Sequence, residues 1–144
     1  MASQYPPKRS DWTERKAPGL DAFEAIATEA LASLPADFLA LCGNLQISVS
    51  DLPTDDMLRA LEIDDPYELL GLFEGNGLAE GGGEAFTGQM PNRIWLFRRP
   101  ILDYWACYDE TLGDVVAHVL IHEIGHHFGL SDADMEAVEA AADA

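Results

Sequence analysis

The residues of this chain whose types and spacing could do chemistry crowd into one stretch, A-H-V-L-I-H-E-I-G-H-H-F-G-L-S-D, from Ala117 to Asp132. Inside it His122, Glu123 and His126 form H-E-x-x-H. On an α-helix, side chains four residues apart lie one turn above each other on one face, so both imidazoles can reach one metal ion. Zinc accepts such a pair at about 2.0–2.1 Å per nitrogen, takes a third protein ligand and keeps its fourth position for water. Glu123, next to the first imidazole, is placed to take a proton from that water. Gly129 and Asp132 extend the pattern to H-E-x-x-H-x-x-G-x-x-D. Glycine enters the left-handed conformation without a Cβ clash, so the helix can end sharply there and Asp132 can swing back as the third ligand. Glu136 and Glu139, a little further on, compete for that place, and Asp132 also suits a plain helix-start carboxylate. Chance supplies a bare H-E-x-x-H far more often than the longer pattern, by about two powers of ten.

Other side chains nearby have weaker claims. His118 precedes His122 by four, but three histidines at i, i+4 and i+8 cannot share one ion from a straight helix, whose ends are there ~12 Å apart. It reads as a supporting or core-edge histidine, or as a proton donor. His127 points about 100° away from His126 and reads as packed or solvated. Tyr104 and Tyr108, just before the helix, could stabilise a developing oxyanion, although aromatic packing is the simpler role.

The motif helix is expected from about Glu110 to Phe128, capped by Asp109, with Val115, Val116, Val119, Leu120 and Ile124 as its apolar side. Ser131 and Asp134 resemble a capping box that opens a last helix to about Ala142. Upstream, Leu20, Phe23, Ile26, Ala27, Ala30, Leu31 and Leu34 repeat at helical spacing, and Pro35 interrupts them. A short helical piece from Ala36 to Cys42 closes at Gly43. Leu45, Ile47 and Val49 alternate with polar residues, as a half-buried strand does. Thr54 to Leu61 is weakly helical, Asp64-Asp65-Pro66 marks a turn, and Glu68 to Phe73 reads as a buried strand broken by Gly71. The stretch from Glu74 to Asn92 carries six glycines and no phosphate-binding pattern. Arg93 to Arg98 is a strand with bulky residues on both faces, and Pro100 starts a short helical segment, Ile101 to Tyr108. Residues 1–19 read as a flexible basic tail that Trp12 could pin, and residues 20–144 as one domain.

A chain of 144 residues supports one core. The formal charge of −18 repels phosphate backbones, so the expectation is no nucleic acid partner. No apolar run approaches the ~18 residues of a membrane span, and the N-terminus lacks the apolar core of a signal peptide. The expected setting is therefore cytoplasmic, away from membranes, with Cys42 and Cys107 reduced and buried. Arg93, Arg98 and Arg99 are scarce cations that either balance nearby acids or bind a substrate carboxylate.

The segments E-L-L-G-L-F-E-G, P-N-R-I-W-L-F-R-R-P-I-L and V-L-I-H-E-I-G-H-H-F-G-L-S-D-A-D-M together resemble the small bacterial zincin-like metallopeptidases, or mini-zincins, over roughly residues 45–140. The resemblance implies a compact α+β fold: a minimal zincin-like domain, with a small sheet packed against helices and the H-E-x-x-H helix under an edge strand. It implies zinc ligands at His122, His126 and Asp132, with Glu123 as the catalytic carboxylate. The related metzincins carry a Met-turn beyond the third ligand, but Met135 lies inside the last helix and is not expected to play that part. The function that follows is a zinc-dependent metallopeptidase acting on a peptide or protein substrate, with the strand Arg93–Arg98 holding an extended peptide by strand addition. The alternative is a metal-binding, catalytically inactive protein-interaction module. An acidic decoy of nucleic acid is a third and weaker reading.

Overall fold

The computed structural model describes residues 10–75 and 92–143. Among the described residues six α-helices surround a small mixed sheet: α1 (Leu20–Ala32), α2 (Ala36–Cys42), β1 (Leu45–Ser50), α3 (Asp55–Ala60), β2 (Gly71–Glu74), β3 (Asn92–Phe97), α4 (Arg98–Cys107), α5 (Leu112–His127) and α6 (Asp132–Asp143). This is the expected α+β arrangement.

Strand order is β1-β3-β2, with β1 parallel and β2 antiparallel to β3. Ile94 and Leu96 alternate inward from β3 and are fully buried, as the two-residue period of a strand requires. They meet Phe23 and Ala27 of α1 and the stripe Val116, Leu120 and Ile124 of α5 in one core. Burying a large apolar side chain contributes about 1.5–3 kcal/mol, so this layer anchors α5 firmly beneath the sheet.

The order of strands corrects one expectation. β3 is paired on both sides, so its N–H and C=O groups are already in use and an extended peptide cannot be added to it. Among the described residues the strand with an unpaired edge near α5 is β2. Gly71 begins β2 instead of breaking a strand over Glu68 to Phe73, and Pro66–Glu68 forms a 3₁₀ turn capped by Asp65. A Cβ on Gly71 would stand 2.8 Å from Val119 Cγ1 and 3.0 Å from the Trp95 carbonyl oxygen, which is why the strand can lie so close on α5.

Caps set the helix ends. Thr111, not Asp109, caps α5, its hydroxyl accepting from the Asp114 amide at 3.1 Å. Thr54 caps α3 in the same way. Ser131 and Asp134 form the expected reciprocal box at α6. α4 starts at Arg98, so Pro100 falls in its first turn, where a missing N–H costs nothing. Trp12 is 57% exposed under the Arg15 guanidinium, and the segment before α1 is tied instead by Arg98 Nε donating to the Pro18 carbonyl. Cys42 is buried as expected, with its thiol pushed up by burial, whereas Cys107 is exposed; both are free. Among the described residues no single helix is long and apolar enough to cross a membrane.

Candidate metal centre

α5 presents three kinds of surface. Val116, Leu120 and Ile124 face the core, Val119 and Glu123 face β2, and Gly125 faces α6. At 100° per residue, His118, His122 and His126 fall on the strip between the β2 side and the α6 side. They therefore line the opening between an edge strand and the last helix. Gly125 is what brings α6 near, since a Cβ there would come within 2.5 Å of Met135 Sδ. Met135 is fully buried inside α6.

A cleft of about 240 Å³ opens beside His118 and His122 of this strip, lined also by Glu68, Leu69, Leu70, Tyr104, Val115, Val119 and Glu123. Glu123 is half-buried in its wall. Burial pushes its carboxyl from 4.5 up to about 7, because a low-dielectric wall penalises the ionised form. Tyr104 also borders the cleft, and burial, with Glu110 and Tyr108 nearby, raises its phenol above the ordinary value. It stays a hydrogen-bond donor at neutral pH. Tyr108 is exposed and packs at a tilt on Tyr104, 4.5 Å between centroids.

His122 and His126 stand edge to face with ring centroids 5.8 Å apart. The turn after them forms as its glycine implied: Gly129 has φ +76, and the Leu130 amide donates to the Gly125 carbonyl at 2.9 Å. Asp132 then opens α6 and is exposed. The turn does not carry its carboxylate back into a cluster with the motif imidazoles. Among the described residues, the three side chains whose ligand atoms lie within 4.8 Å of one another are His118, His122 and Glu139. Glu139 Oε1 is 2.9 Å from His122 Nε2 and 2.9 Å from His118 Nδ1. Glu139 was in view in the sequence as a competing ligand. Its partnership with His118 was not, because the reach of a residue on a following helix depends on how that helix packs.

His127 packs on the Phe73 ring at 4.1 Å between centroids, away from the strip. The three arginines are engaged elsewhere. Arg93 reaches Ser48 and Gln46, Arg98 pairs with Asp51, and Arg99 lies over the Tyr67 ring; none of them borders the cleft.

Two imidazoles and a carboxylate make a donor set that suits a borderline-soft dication such as zinc. No curated protein matches the chain. A family model described as zincin-like metallopeptidase matches residues 42–142. That match spans the three described strands, the motif helix and all but the last residue of α6, and on it the chain belongs to the zincin-like metallopeptidase family.

Proposed function

We propose that this protein is a zinc-dependent peptidase, with His122 and His126 as metal ligands, Asp132 turning in from its exposed place at the start of α6 as the third, and Glu123 as the general base. The observation that carries the reading is Glu123 itself, a half-buried carboxylate beside a motif imidazole, facing a cleft next to the edge strand β2. Zinc held by these donors would supply Lewis acidity toward a peptide carbonyl and lower the pKa of water toward ~7. Glu123 is matched to moving a proton near neutral pH, since burial has brought its carboxyl to about 7. It takes a proton from the attacking water and returns it to the departing amine. The outer edge of β2, unpaired among the described residues, offers an extended peptide the backbone groups that β3 cannot. Tyr104 lines the same cleft, and a phenol donor there suits an oxygen gaining negative charge.

The test is cleavage of quenched fluorescent peptides by the wild type and by Glu123→Gln, with zinc content measured in both. The expected result is retained zinc and a loss of turnover of about 10²-fold or more, the usual contribution of a positioned base. A second reading, a metal-binding module without turnover, is favoured by one observation: Asp132 stands exposed at the start of α6 while Glu139 engages His122 Nε2. Equal background cleavage by both proteins would support that reading instead.

A further inference from the structure

We propose a second divalent-cation site one helical turn upstream of the motif pair, formed by His118, His122 and Glu139 and sharing His122 with it. The proposal deepens the zinc reading and rests on it only in taking His122 as a ligand. The spacing that makes His122 and His126 a chelating pair is repeated by His118 and His122. A ladder of three histidines therefore holds two overlapping pairs, and a third ligand decides which is complete.

In the structure that third ligand sits with the upstream pair. One oxygen, Glu139 Oε1, is 2.9 Å from a nitrogen of each ring. Around a tetrahedral ion with bonds of ~2.0–2.1 Å, ligand atoms stand about 3.3–3.5 Å apart. The donors thus need to open by roughly half an ångström for the ion to sit among them. The side chains have room to do so, being 48%, 25% and 33% exposed for His118, His122 and Glu139. The surroundings favour a cation as well. A hollow of about 150 Å³ beside His118 and Glu139 is also lined by the acidic residues Glu110 and Asp114, and the chain as a whole carries −18. Two nitrogens and one carboxylate select zinc or another late first-row ion over calcium or magnesium.

One consequence separates this site from a mere neighbour. The Nε2 atom of His122 that faces Glu139 can bind one ion at a time. An ion held upstream therefore removes a ligand from the motif pair, and the two sites fill in mutual exclusion.

The experiment is zinc titration of the metal-stripped full chain by calorimetry, with cobalt absorption reporting tetrahedral coordination. Four proteins are compared: the wild type, a motif-broken His126→Ala/Asp132→Asn variant, an upstream-broken His118→Ala/Glu139→Gln variant, and the fourfold combination. We expect one zinc per wild-type chain, one zinc still bound by the motif-broken variant, and affinity at least 100-fold weaker in the fourfold variant. Motif-broken protein that binds no better than the fourfold variant overturns the proposal. If the upstream-broken variant then binds like the wild type, the motif ligand set stands alone. The reverse pattern, zinc kept by the motif-broken variant and lost by the upstream-broken one, upholds the proposal and removes the motif ligand set. Two zinc ions per wild-type chain overturn the shared ligand, and none overturns both readings. Should the fourfold variant lose its circular dichroism, His118→Ala alone in the motif-broken background replaces it, since that side chain is half exposed.

Discussion

Glu123 carries a penalty that can be measured without any substrate. Its carboxyl titrates near 4.5 when free and near 7 in the fold. The folded state thus favours the protonated form. Below pH 4.5 both states hold the proton and nothing is lost; between 4.5 and 7 stability falls; above 7 the penalty is complete. At about 1.4 kcal/mol per unit the full effect is of the order of 3 kcal/mol. Glu123→Gln should therefore stabilise the metal-free protein by up to that amount at pH 8 and hardly at all at pH 4. Urea titrations of both proteins at the two pH values check it, and equal midpoints at pH 8 would contradict a buried carboxylate. At this scale the motif was legible in the sequence, because H-E-x-x-H is local: one helix places every member. The turn glycine was legible for the same reason. The partner of His122 was not, since Glu139 lies 17 residues away and joins it only through the packing of α6.

Among the elements, close approaches replace side chains as the determinants. β2 can lie on α5 only because Gly71 has no Cβ to meet Val119 and the Trp95 carbonyl. Gly71→Ala should cost about 1–3 kcal/mol, the usual penalty of overpacking, and should lower peptide turnover with it. Denaturant midpoints together with cleavage rates check this. Gly129 faces open space, so its cost is purely conformational: at φ +76, Gly129→Ala should lose about 1–2 kcal/mol. The helices were readable in advance from their apolar spacing and their caps, down to the Ser131–Asp134 box. Two neighbouring capping residues, Asp109 and Thr111, were not distinguishable locally, and the packed helix selected Thr111. The centrality of β3 was also hidden, because strand order depends on pairing between residues far apart in the chain, as Leu45 with Asn92.

Across the whole molecule the family match and the acidic charge act together. A ligand that binds only the folded chain stabilises it by about 2.7 kcal/mol at a concentration 100 times its Kd. Zinc at that excess should therefore raise the melting temperature of metal-stripped protein by roughly 5–11 °C, while an equal concentration of magnesium should not. Removal of the metal by a chelator should return the lower value. The −18 charge was visible from composition alone. Its concentration beside His118, through Glu110, Asp114 and Glu139, depends on α5, the bend before it and α6 coming together.

The account stands on His122 as a metal ligand, in whichever of its two pairings. Anomalous scattering at the zinc edge from crystals of metal-replete protein tests that directly. The predicted result is a peak about 2.0–2.1 Å from a ring nitrogen of His122. A fully zinc-loaded protein whose peaks all lie beyond reach of that imidazole would contradict it.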